Sequence, residues 1–170
     1  ADCARLLARA RAALRATLTD RDDEVASAAL SGLGATGAPE DAPLLTAALD
    51  APDALRREAA AAGLSRMGPG ARAEITRALA SPSARTRALA AVAASQNWDE
   101  TTFLLIRKAF SDREPSVRAA AVAALNSTPG TLATAKMGLL EELRRLTLDP
   151  DLSVRVTAAH AVASIAPAKP

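Results

Sequence analysis

Apolar and small residues recur along this chain three and four apart, and short polar turns interrupt them at nearly even intervals. Leu6, Leu7, Ala10, Leu14 and Leu18 mark one stripe, with Arg5, Arg9, Arg11 and Arg15 mostly off it. That is the spacing of an amphipathic helix. Val117, Ala121 and Leu125, and later Val154, Ala158 and Val162, repeat the same fourfold step. The turns read DRDD, DAPD, SPSA, DREP and DPDL, where Asp or Ser can cap the following helix and Pro suits its first turn. GATGAPE, MGPG, SQNWDE and STPG act as stops between longer segments. No long window alternates with period two. The pattern predicts helix pairs at about 4–18 with 23–34, 40–49 with 53–67, 71–80 with 83–95, 98–111 with 115–126, and 131–148 with 152–166.

The pairs are copies of one phrase. It reads DRDDEVASAAL from Asp20, DAPDALRREAA from Asp50, SPSARTRALAA from Ser81, DREPSVRAAAV from Asp112 and DPDLSVRVTAA from Asp149. Taking Val25, Leu55, Thr86, Val117 and Val154 as anchors gives spacings of 30, 31, 31 and 37 residues. Six residues before each turn lie Leu14, Leu44, Ile75, Ile106 and Leu143, and four after each anchor lie Ala29, Ala59, Ala90, Ala121 and Ala158. A period near thirty predicts stacked supersecondary units, hence an all-α solenoid. The longer last spacing predicts a loop at Pro129–Gly130 followed by an elongated helix reaching Leu148. Asn97 and Glu100 have the spacing of a capping box, which places Trp98 on the first turn of the fourth pair.

An Asp, a Pro-containing turn, then Val-Arg and an Ala-rich helix on this period resembles the HEAT-like repeat family, in the short form found in phycobilin lyases and many bacterial proteins. The resemblance covers nearly the whole chain and is best over Asp112–Leu125 and Asp149–Val162. It implies a right-handed superhelix of five helix pairs in a single domain, 1–170, with repeats at about 1–36, 37–68, 69–96, 97–128 and 129–170. It also implies that the second helices line a concave side. Asp50, Asp112 and Asp149 with Arg56, Arg87, Arg118 and Arg155 would form a buried ladder between units. Because Ser81 replaces Asp in the repeat of Arg87, that arginine is expected to matter less than Arg118.

Composition narrows the function. Apolar residues make up 49% of the chain but aromatics only 2%, namely Trp98, Phe103 and Phe110, so the core must be Ala and Leu. One His and one Cys cannot build a zinc site, a paired His-Glu iron site or a disulfide. No phosphate-binding glycine loop is present. No catalytic residue, metal ligand or cofactor site is therefore expected. Net charge is +2, with basic residues interleaved among acidic ones; the nearest patch is Arg5, Arg9, Arg11 and Arg15, read as a solvated outer face. No apolar run suits a membrane span and no leader pattern is visible, which favours the cytoplasm and leaves a periplasmic location open for a processed form.

Projecting the second helices at 100° per residue separates a third face from core and ladder. Its residues are Asp23, Glu24, Ser27, Ser31; Asp53, Arg57, Ala61, Ser65; Arg85, Ala88, Val92, Gln96; Ser116, Ala119, Ala123, Ser127; and Ser153, Val156, His160, Ser164. Small and apolar from Val92 to Val156, this face is expected to admit a peptide or helix of a partner protein, with Arg57, Arg85, Val92, Gln96, Ala119, Ala123, Val156 and His160 as contacts and Trp98 as a candidate hot spot. The leading reading is a non-catalytic scaffold. One alternative is a lyase or chaperone-like subunit acting on a tetrapyrrole-bearing protein; another is DNA binding through arginines. The last helix leaves Ala159, Val162 and Ala166 where a sixth unit would stack, which suggests continuation of the chain, self-association or a docked partner at this end.

Overall fold

The turns that begin the second helices are built alike. In a computed structural model describing residues 2–97, 99–127 and 138–165, Asp53 accepts from Arg56 N at 3.0 Å and Ser83 from Thr86 N at 3.3 Å. Asp22 and Asp151 do the same work one residue earlier, on Glu24 N and Ser153 N. Glu114 makes no such bond, and Pro115, which has no N–H to satisfy, opens the helix instead. These caps fix α2 (Asp23–Thr36), α4 (Ala54–Met67), α6 (Ala84–Ala94), α8 (Pro115–Asn126) and α10 (Leu152–Ile165). Their partners are α1 (Asp2–Thr17), α3 (Ala42–Ala48), α5 (Arg72–Leu79), α7 (Glu100–Ala109) and α9 (Leu140–Leu146). Gly37 ends α2 in the left-handed region, φ 67°, where a side chain would be strained.

The helices form two layers. Each even-numbered helix packs on the next, α2 on α4, α4 on α6, α6 on α8 and α8 on α10, while α3, α5 and α7 stack behind them. The result is an all-α solenoid, with no strand among the described residues. A column of alanines runs through the junctions: Ala29, Ala60, Ala90, Ala121 and Ala158, none more than 2% exposed. Leu45, Ile75, Ile106 and Leu143 fill the space between layers. Short side chains let helices approach closely, and α2 and α4 approach so closely that a Cβ on Gly34 would lie 2.3 Å from the Gly63 Cα.

The buried columns correct the register of the second unit by one residue. Leu45 is fully buried whereas Leu44 is exposed, and Ala60 is buried where Ala59 is only half so. The column of anchors is therefore Val25, Arg56, Thr86, Val117 and Val154, and the arginine that follows the anchor in the second unit is Arg57, not Arg56. Arg56 reaches back to the preceding turn, where it pairs with Asp23 and donates to the Asp20 carbonyl at 2.6 Å.

Two further expectations change. Asn97 does not cap α7; Asp99 does, accepting from Thr102 N at 2.7 Å. Asn97 is buried, and its Nδ2 lies 3.2 to 3.3 Å from the carbonyl oxygens of Leu64, Ser65 and Ala93, tying the ends of α4 and α6 together. In the last unit Leu139, at φ −98° and ψ 0°, separates helical Gly138 from a helix over Leu140–Leu146 that stops short of Leu148, while residues 131–137 of the expected long helix lie outside the described residues. The Pro129–Gly130 loop and Trp98 lie outside the described residues.

Candidate functional site

The ladder column fixes which faces remain open. Arg118 donates through Nη1 to the carbonyls of Asp112 and Arg113, in its own turn, at 2.8 and 3.3 Å. Its Nε and Nη2 meet Asp149 of the next unit at 2.8 and 2.6 Å. Arg87 repeats the arrangement, with its own turn at Ser81 and Pro82 and with Asp112 as forward partner, both carboxylate contacts being 2.8 Å. The carboxylate thus comes from the following unit, and Ser81 is no handicap to Arg87. The two aspartates titrate below the usual carboxylate range, chiefly through these guanidinium hydrogen bonds, with burial opposing. The arginines are correspondingly held more firmly protonated.

Arg57 occupies the same column, donating to Ala51 and Pro52 at 2.8 and 2.6 Å. The residue of the next unit that corresponds to Asp112 and Asp149 is Ser81, which has no carboxylate. Asp50, expected on the ladder, is instead the acceptor for the Thr86 and Ser83 hydroxyls. Arg155 holds its own turn through Asp149 and Pro150, both at 2.9 Å.

With the ladder assigned, the expected third face can be placed. Arg85, Val92, Gln96, Val156 and His160 are exposed, and Ala119 and Ala123 half-buried. In the second unit the corrected register puts Ala54, Glu58, Ala62 and Arg66 on this face, all exposed, while Ala61 belongs to the core. Ser27 also turns out buried. Arg57 is half-buried and committed to its turn, although it borders a shallow depression of about 380 Å³ also lined by Ala54, Glu58, Arg85, Ala88, Leu89 and Ser116. Val92 and Val156, 47% and 61% exposed, flank the two alanines. Such a face offers apolar contact and close backbone approach, and among the described residues no group of three metal-ligating side chains occurs.

The basic patch on α1 is solvated at Arg5 and Arg9, which are exposed, but not free at its other two arginines. Arg11 and Arg15 both hold Asp41, at 2.8 and 2.5 Å, and that carboxylate is fully buried. Arg5 pairs with Asp2. A periodicity argument misses Asp41 because its column reads Ala71, Thr102 and Leu139 in later units, all buried. Among the described residues, no helix is long and apolar enough to cross a membrane.

Known proteins resemble this arrangement in outline. A crystal structure of an engineered protein from the Northeast Structural Genomics Consortium shares the fold at a TM-score of 0.51 and 20% identity, over 92% of this chain and 79% of that one. A second engineered protein from the same consortium gives 0.50 and 21%, over 89% of this chain and 46% of its own, so the chain spans about half its length. No curated protein matches the sequence. Residues 3–65, the first two helix pairs, match the model for HEAT repeats, which does not single out the phycobilin-lyase type. The same turn and arginine recur beyond the match, which supports a HEAT-like repeat family for this chain.

Proposed function

We propose that residues 1–170 act as one non-catalytic scaffold that binds a peptide or helix of a partner protein along the exposed face of its second helices. The observation that carries this reading is the strip between Val92 and Val156, where exposed valines flank half-buried Ala119 and Ala123. Small side chains let a second backbone come close, and the flanking valines give it apolar surface to bury. Arg85 and Gln96 stand at one end of the strip and His160 at the other, polar groups suited to fixing a bound segment's direction.

A peptide-display selection against the chain tests this. Enriched peptides should lose binding to Ala123→Arg and to Val156→Asp, and should keep it with Leu104→Asp, a control on the opposite layer. Because Ala123 faces outward, Ala123→Arg should leave the melting temperature nearly unchanged. Binding indifferent to the first two substitutions would refute the assignment. A shifted visible absorption band on adding a linear tetrapyrrole would favour a lyase-type subunit instead. DNA binding has less to work with, since ten of the arginines lie within salt-bridge distance of a carboxylate.

A further inference from the structure

The two ends of the array carry complementary halves of the same contact. At the C-terminal end, Arg155 grips its own turn as Arg118 and Arg87 do. Its Nε and Nη2, the edge that takes an aspartate of the next unit in those two cases, have no carboxylate among the described residues. At the N-terminal end, Asp20 is the first unit's counterpart of Asp112 and Asp149. Its Oδ1 accepts from Asp22 N at 2.9 Å, as Asp112 accepts from Glu114 N at 3.0 Å and Asp149 from Asp151 N at 2.9 Å. The same local turn therefore presents the same carboxylate. No arginine side chain reaches it among the described residues, since Arg56 holds only its carbonyl.

The apolar surroundings are unpaired in the same sense. Val117 and Val154 are fully buried, whereas Val25, their counterpart in the first unit, is 39% exposed. Leu30, Ala61, Ala91 and Val122 lie at junctions and are at most 4% exposed, whereas Ala159 in the same column is open. Burial at both columns is thus supplied by a neighbouring unit and is lost where a neighbour is lacking.

We propose that a second copy of this chain docks head to tail, with Arg155 of one copy clasping Asp20 of the other and Ala159 packing near Val25. The junction would reproduce the internal one between α8 and α10, where Arg118 clasps Asp149. Its residues Arg155, Ala159, Asp20 and Val25 are not those of the strip between Val92 and Val156, and Asp20→Asn leaves that strip untouched, so it stands or falls separately from the peptide-binding reading. Because donor and acceptor patches differ, the contact is heterologous and propagates as a linear series instead of stopping at a symmetric dimer.

Sedimentation velocity of the chain across the micromolar to millimolar range tests this. The wild type should form a concentration-dependent ladder of oligomers. Asp20→Asn keeps an acceptor for the turn but removes the charge, and Arg155→Gln removes the clasp; each alone should associate at least about tenfold more weakly. Mixed together, they leave one intact pair of ends, so the mixture should form dimers and no longer species. A wild type that stays monomeric throughout, or single variants that associate as strongly as it does, would overturn the proposal. Asp20 is exposed, so its variant reads the contact even if Arg155→Gln folds poorly.

Discussion

Arg118 and Asp149 belong to different repeats yet meet edge to edge, with two parallel N–H···O contacts of 2.8 and 2.6 Å, while the third guanidinium nitrogen holds the arginine's own turn. The side chains are only 12% and 7% exposed. A bidentate pair so shielded is stronger than an exposed one, and removing one member strands the other. Arg118→Ala should therefore cost about 2–4 kcal/mol. Arg87→Ala should cost about as much, because Asp112 is equally well held, and Arg57→Ala clearly less, because Ser81 offers no charge. Urea unfolding at neutral pH checks the order; a loss at Arg57 equal to the other two would contradict it.

Acid should release the same contacts. The folded-state values of Asp112 and Asp149 are lowered, so in acid the unfolded chain binds protons that the folded chain does not. The stabilisation is present in full above the unfolded value, about 4, and is lost as pH falls through the lower folded values. Urea midpoints of the wild type should drop across that window. A variant with both Arg87→Met and Arg118→Met should fall less steeply, and identical slopes would mean that other carboxylates control the acid response.

Asp41 governs whether α1 stays in place. That helix has no buried residue of its own, and Arg11 and Arg15 reach the fully buried carboxylate from it. Asp41→Ala leaves two arginines without their shared partner and should loosen residues 2–17 before the rest unfolds. Hydrogen exchange should speed up in α1 with little change in α4 to α8. Uniform acceleration throughout would show instead that α1 unfolds only with the whole array.

The α2–α4 crossing tolerates no side chain at Gly34. A methyl group there would meet Gly63 backbone atoms at 2.3 to 2.6 Å, and backbone cannot swing aside. Gly34→Ala should cost about 1–3 kcal/mol or more by forcing the helices apart. Gly32→Ala is the control, since its nearest neighbour is the end of the Leu14 side chain at 3.0 Å. Thermal melts that shift equally for the two would argue against the tight crossing.

Much of this architecture was legible because each repeat keeps one aliphatic column and one turn. Leu14, Ile75, Ile106 and Leu143, with the caps that follow them, place the helix pairs from spacing alone. The second unit misled for a physical reason: Leu44 stands beside Leu45, Arg56 beside Arg57 and Ala59 beside Ala60, so either register satisfies the pattern. The burial of Leu45 and Ala60, together with the carbonyls of Ala51 and Pro52 that Arg57 clasps, decides between them. Asp41 was hidden because a lone buried charge has no period, and Asn97 because a side chain that bonds to carbonyls across two helices resembles a cap in sequence. The open face was legible in its C-terminal part, where the register was right, and blurred at Arg57 and Ala61, where it was not.

Arg57 carries one more implication. It stands in a clasping posture opposite a serine, while Asp112, one repeat further on, offers the carboxylate that it lacks. Excising residues 81–111 would join the end of α5 to the turn at Asp112 and set α8 directly against α4. The shortened chain would then gain a clasp at the new seam in exchange for the one lost at Arg87. Array length is in this sense adjustable: any seam closes where an arginine and an aspartate fall in the right columns, so the chain could gain or lose whole repeats by genetic duplication or deletion without inventing a new contact.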